Sequence, residues 1–201
     1  MKLRRVCAAL LALAAGLGMA GSAEASVKVK AKTINYTIKG ATGEALLDAM
    51  DHKGPRHGFT ARAIAQTGYT VAWTVDSRER NGVCRIVQAD AVIDFTFNYP
   101  QVDGPMSAAL SRRWHSFMTG VRRHEQTHAR IAREMVDTAQ RAVRAVSFGK
   151  DRGCVRTEAE AKRRISATYA KYEARQVEFD RVEHAEGGNV ERLVTRLAAG
   201  K

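Results

Sequence analysis

Between Leu110 and Val146 the apolar residues Leu110, Trp114, Phe117, Val121, Ile131, Met135, Ala142 and Val146 recur in steps of three, four and seven or more. That spacing describes one face of a long helix. A helix with a single apolar stripe takes most of its stability from packing, so it must lie against a sheet or another helix. The gap between Val121 and Ile131 falls on positions 124 and 128 of the same stripe, and both are histidine. His124-Glu125-Gln126-Thr127-His128 therefore sets two imidazoles one turn apart on a face that should be buried.

The rest of the chain says what this helix packs on. Ahead of Pro100 the strand-like pieces are Thr33–Lys39, Thr70–Asp76, Val83–Gln88 and Ala91–Tyr99, rich in Val, Ile, Thr and aromatics. Asn81-Gly82 is a turn between the second and third, and Gln88–Asp90 lets the chain change direction before the fourth. Gly43–His52 is a short helix stopped by Gly54-Pro55. After Pro100 the chain turns helical, with Ser107 as N-cap of the long helix and Ser147-Phe148-Gly149 as its end. A second long helix runs from near Thr157, where Thr157-x-x-Glu160 reads as a capping box, to about Glu186. Gly187-Gly188 breaks it, and Asn189–Ala199 forms a short terminal helix. Strands followed by helices predict an α+β fold: a small, mainly antiparallel sheet (26–100) followed by a helical hairpin (101–201), within a single domain spanning 26–201.

Residues 1–25 read as a cleavable signal peptide. Lys2, Arg4 and Arg5 precede an apolar run from Val6 to Ala20, and Ala23-Glu24-Ala25 forms a small-residue exit. The apolar run is shorter than the roughly 20 residues that cross a bilayer, so the processed chain is expected not to span a membrane. This points to a bacterial periplasmic or secreted protein. Once Cys7 is removed, Cys84 and Cys154 remain, an even pair in an oxidising compartment, and they are expected to form a disulfide. The leader holds three Lys/Arg and one Glu, so the formal charge of +12 falls to +10 in the processed chain. Such a charge suits polyanions. Arg122, Arg123, Arg130, Arg133, Arg141, Arg144, Lys162, Arg163 and Arg164, however, fall where helices face solvent. Export argues against nucleic acid and leaves anionic cell-envelope surfaces as the available partner.

Two buried histidines one turn apart leave polar nitrogens to satisfy, and a shared metal ion does this for both. Zinc takes imidazole nitrogen, and a catalytic site uses three protein ligands with one position open. A glutamate directly after the first histidine then stands ready as general base, which gives Glu125 a catalytic role. Chance yields such a five-residue match in roughly one shuffled chain per hundred of this composition, so the helical context carries the weight. For the third ligand, Glu134 lies nearly two turns past His128, His115 is nine residues before His124, and His52 and His57 flank a Gly/Pro loop. The end of an antiparallel second helix offers His184, with Asp180 one turn earlier on the same face as the alternative ligand or as an acceptor orienting a histidine.

These residues resemble the DUF922 family of predicted bacterial secreted zinc-dependent proteases. The resemblance runs through the leader, Trp73 in Thr70–Val75, Cys84, Tyr99-Pro100, Trp114, Phe117, the 124–129 segment, Cys154 and the stretch from Phe179-Asp180 to Gly187. It implies a zincin-like Zn²⁺ metallopeptidase acting on peptide or protein substrates. The late motif differs from the family pattern: Phe179 stands in place of Tyr, Glu183 in place of Thr, and His184 and Gly187 are spaced differently. The expected protein is thus an exported zinc metallohydrolase with His124, His128 and His184 (or Asp180) as ligands and Glu125 as general base. The alternative is a non-catalytic cell-envelope-binding protein, zinc-containing or metal-free, that uses its basic helices.

Overall fold

The computed structural model describes residues 27–57 and 61–199; residues 1–25, read above as a signal peptide, lie outside them. The strands are β1 (Val27–Ile38), β2 (Arg56–His57), β3 (Ala61–Arg62), β4 (Gln66–Arg80), β5 (Val83–Val102) and β6 (Ser147–Gly149). The helices are α1 (Gly43–Lys53), α2 (Ala108–Arg144), α3 (Val155–His184) and α4 (Asn189–Ala198). Strands come first and long helices follow, as the sequence pattern predicts.

The sheet has the order β1-β5-β4, with β6 on the first residues of β5. β4 and β5 form a hairpin whose two-residue turn is Asn81-Gly82, both at positive φ (53° and 74°). Asn and Gly are the residues that adopt this conformation most readily, and a two-residue hairpin turn of type I′ requires it. The expected break at Gln88–Asp90 is corrected: β5 is one strand of 20 residues. Asp76 pairs with Gln88 but Ser77 pairs with Ile86, so Val87 is an extra residue in a bulge. The bulge shifts the parity of burial. Cys84 and Ile86 face inward before it, and Ala89, Ala91, Ile93 and Phe95 after it. A lost alternation in the sequence reads as a strand end, although the strand continues.

β1 runs parallel to β5, from Val27↔Ala91 to Ile38↔Val102, while β4 and β6 pair with β5 antiparallel, so the sheet is mainly antiparallel, as expected, with one parallel edge. Nothing in strand composition separates parallel from antiparallel at a solvent-exposed edge, and nearly all of β1 is exposed.

α2 lies across one face of the sheet. Ala132, Met135 and Val136 pack on Ala91, Ile93 and Phe95, and further along Val143 and Val146 meet Ile86 and Ala89. Beyond Met135 the buried row runs through Ala139 and Val143; Ala142, expected in the stripe, is only half-buried. At the other end Leu110, Phe117, Met118 and Val121 join Ile38 and residues of α1 and α4 in the largest core cluster. Gly120 admits α4 closely, since a Cβ there would stand 2.5 Å from the Leu193 side chain.

α3 returns alongside α2. Its start is not the expected Thr157 capping box: the cap comes from Asp151, whose carboxylate accepts from the Arg156 N–H (3.0 Å) and from the Thr157 N–H and hydroxyl (2.8 and 2.7 Å). Burial raises the Asp151 pKa, but these bonds outweigh it and hold the carboxyl below its ordinary value. Cys84 and Cys154 are joined in a disulfide with Cα atoms 5.4 Å apart, which staples β5 to this turn. No helix among the described residues is long and apolar enough to cross a membrane.

Candidate metal centre

α2 carries His124 and His128 onto its buried side, where His124 is 9 % exposed and Glu125 5 % exposed. The antiparallel return of α3 brings Gln176, Asp180, Glu183 and His184 across from them. Gln176, Asp180 and His184 are spaced four apart, so one face of α3 presents all three. Phe179 packs against both imidazoles, with ring centroids 4.9 Å from His124 and 5.1 Å from His128.

Three donor atoms converge. His128 Nε2 is 3.1 Å from His124 Nε2 and 2.8 Å from Asp180 Oδ1, and His124 Nε2 is 3.3 Å from Asp180 Oδ1. Donors set about 2.0–2.1 Å from a tetrahedral ion are about 3.3 Å from one another, so the triangle has the dimensions of a metal site. His124, His128 and Asp180 form a group that could hold a metal ion.

The hydrogen bonds around the triangle indicate how the His128 ring faces it. Gln176 Nε2 donates to the His128 carbonyl (3.1 Å), which fixes the orientation of the amide and turns its Oε1 toward His128 Nδ1 at 2.6 Å. Nδ1 must then carry the proton that Oε1 accepts. Neutral His128 therefore presents an Nε2 lone pair to the triangle. His124 Nδ1 has no hydrogen bond within 3.5 Å, but Glu183 Oε2 faces it at 3.6 Å. The other Glu183 oxygen accepts from Asn189 at 2.6 Å. With no partner fixing the His124 tautomer, the close approach of these three atoms is relieved by a hydrogen on an imidazole Nε2 or by a metal ion.

The ionisation of the group follows. Burial opposes charge on His128, yet the hydrogen bonds to Asp180 and Gln176 prevail and raise its pKa above the ordinary value. Burial likewise opposes charge on Asp180, but hydrogen bonds from His124 and His128 hold its carboxyl far below the usual range. His184 lines the same cleft, its ring edge-on to His124 with centroids 5.5 Å apart. Partial loss of water and the adjacent His124 lower its pKa.

Glu125 sits beside the group in the wall of the cleft. The Thr67 hydroxyl donates to Glu125 Oε2 at 2.6 Å and lies 3.1 Å from the Glu125 carbonyl, tying the start of β4 to the motif. The Tyr99 hydroxyl is pushed up to about 12 by burial and by the nearby Glu125 charge.

Of the residues singled out from sequence, His124, His128 and Asp180 meet at one point, Glu125 borders it, and His184 lines the cleft one turn beyond Asp180. Glu134 is engaged elsewhere, paired with Arg130 and Arg175 at 2.8 and 2.6 Å. Sequence reasoning missed Gln176, Thr67 and Glu183 as supporting groups. Gln176 had a usable signal, one turn before Asp180 on the same face. Thr67 had none, because only the folded sheet brings it to α2.

Fold and site together define an α+β protein whose HExxH helix shares a potential metal site with an aspartate from the antiparallel helix. The chain belongs to the DUF922 family, described as bacterial protein of unknown function, whose profile matches residues 33–188. No curated protein and no solved structure matches it.

Proposed function

We propose that the protein is an exported zinc-dependent metallohydrolase, and specifically a peptidase. The observation that carries this reading is the triangle of His124 Nε2, His128 Nε2 and Asp180 Oδ1, three electron-pair donors at 2.8–3.3 Å with a glutamate beside them. Two imidazoles and one carboxylate are a donor set suited to Zn²⁺ with a position left open. Held there, Zn²⁺ supplies Lewis acidity, polarising a carbonyl and making water easier to deprotonate.

The chain's own groups do the remaining work. Gln176 bonds the outward Nδ1 of His128 and orients its inward lone pair, and Glu183 stands 3.6 Å from the outward Nδ1 of His124. Thr67 engages Glu125 Oε2, leaving Oε1 to accept a proton from the attacking water. Water oxygen bonds to the peptide carbon, the C–N bond breaks, and Glu125 delivers the proton to the leaving nitrogen. The products are a carboxylate and an amine. The Cys84–Cys154 disulfide supports an oxidising compartment, hence export.

Glu125→Gln is expected to keep its zinc and to lose hydrolysis of a mixed peptide library by about 10²–10⁴-fold. Unchanged turnover would remove Glu125 from the chemistry. Retained zinc with no cleavage by wild type would favour a binding protein instead.

A further inference from the structure

The metal group opens into a cleft of about 850 Å³, within the range of about 300–1,000 Å³ for small-molecule sites. Away from the histidines the wall is aliphatic. Leu47 of α1, Ile64 ahead of β4, Val121 of α2, and Val190 and Val194 of α4 line it. Val121 and Val190 are buried, while Leu47, Ile64 and Val194 are only half-buried, so the main core reaches solvent here. Val177, between Gln176 and Asp180, lines the same cleft and is 65 % exposed. The Tyr36 hydroxyl donates to the Ile64 carbonyl at 2.7 Å and holds this part of the wall in place.

Asp51 lines the cleft at an exposed position, and the two basic groups of the wall are engaged. Arg62 donates to the Gly54 carbonyl at 2.7 Å, and Arg181 pairs with Glu178 at 2.7 Å. An acidic side chain pressed against the aliphatic wall would lose water without gaining a partner, whereas a large apolar one would gain by leaving water.

We infer that the substrate is a peptide that sets a large apolar side chain, aliphatic or aromatic, against the Leu47–Ile64–Val194 wall when its scissile bond meets the His124–His128–Asp180 group. This rests on the peptidase reading and deepens it. The occupant is fixed by continuity: the aliphatic wall and the metal group belong to one cleft, so a chain held at one end reaches the other.

The test uses the zinc-loaded protein and a peptide library randomised on both sides of a central bond. Cleavage is read by mass spectrometry, and binding of the same peptides to the Glu125→Gln variant by calorimetry. Leu or Phe at one position next to the cleaved bond should be preferred over Ala or Asp by at least about tenfold. Val194→Lys, at a half-exposed position, should abolish that preference while zinc content stays unchanged, and Leu47→Ser should weaken it. Cleavage with no side-chain preference, or a preference untouched by both variants, overturns the inference and leaves the peptidase reading standing. Binding with the apolar preference but without cleavage by wild type sustains the apolar subsite and overturns the peptidase reading. Neither binding nor cleavage overturns the inference.

Discussion

The Gln176 amide spans the backbone and the ring of His128, donating to the carbonyl and accepting from Nδ1. A single side chain thereby sets which imidazole nitrogen faces the cation site. Gln176→Leu should lower zinc affinity by about 10–100-fold without unfolding the chain. Competition with a chromophoric chelator measures this, and unchanged affinity would show that the amide does not orient the ring. The same site binds protons. Because the His128 pKa is raised in the metal-free protein, the ring still holds its second proton at pH values where an ordinary imidazole has lost it. Zinc must displace that proton, so its apparent affinity should fall as pH drops through the raised pKa, starting above the ordinary 6.5. The fall should approach about tenfold per pH unit. A pH-independent affinity between 6 and 8 would contradict this. Single residues were unevenly legible in the sequence. His124, Glu125 and His128 stood out because a polar motif interrupts a buried stripe. The candidates for a third ligand came only from assuming an antiparallel hairpin, and Asp180 meets the histidines because α3 stays helical through His184.

At the scale of elements, the site depends on α3 lying at a fixed height along α2. Two devices at the far end of the hairpin set that height: the Asp151 cap on α3 and the disulfide from β5. The disulfide closes a loop of 70 positions, and chain-entropy reasoning assigns such a loop about 4 kcal/mol. A Cys84→Ser/Cys154→Ser variant should therefore show a large drop in the denaturant midpoint with zinc bound or removed. An unchanged midpoint would mean the staple is energetically silent. Helix positions and the Asn81-Gly82 hairpin could be read from sequence because periodicity and turn residues are local signals. The Val87 bulge and the parallel pairing of β1 could not. The first imitates a strand end, and the second is set by where the chain passes after α1, not by any residue in the strand.

For the whole molecule, the sheet supports α2, α2 supports the histidines, and α3 closes the site from above. Its outer surface is basic: Arg122, Arg123, Arg130, Arg133, Arg141, Arg144, Lys162 and Arg163 are exposed, as solvated helix faces should be. Arg164 is half-buried and bound to Glu160 and to the Ala142 carbonyl. The strand-then-helix order of the fold was legible from composition alone, whereas the cleft was not, since it forms only where α1, α4 and the segment before β4 meet. The most direct test of the metal site is the zinc content of the purified protein and of four alanine variants, measured by elemental analysis after dialysis. One zinc per chain is expected in wild type and in His184→Ala, with loss in His124→Ala, His128→Ala and Asp180→Ala. A wild-type protein that holds no stoichiometric metal, or one that keeps it after all three losses, would contradict the assignment.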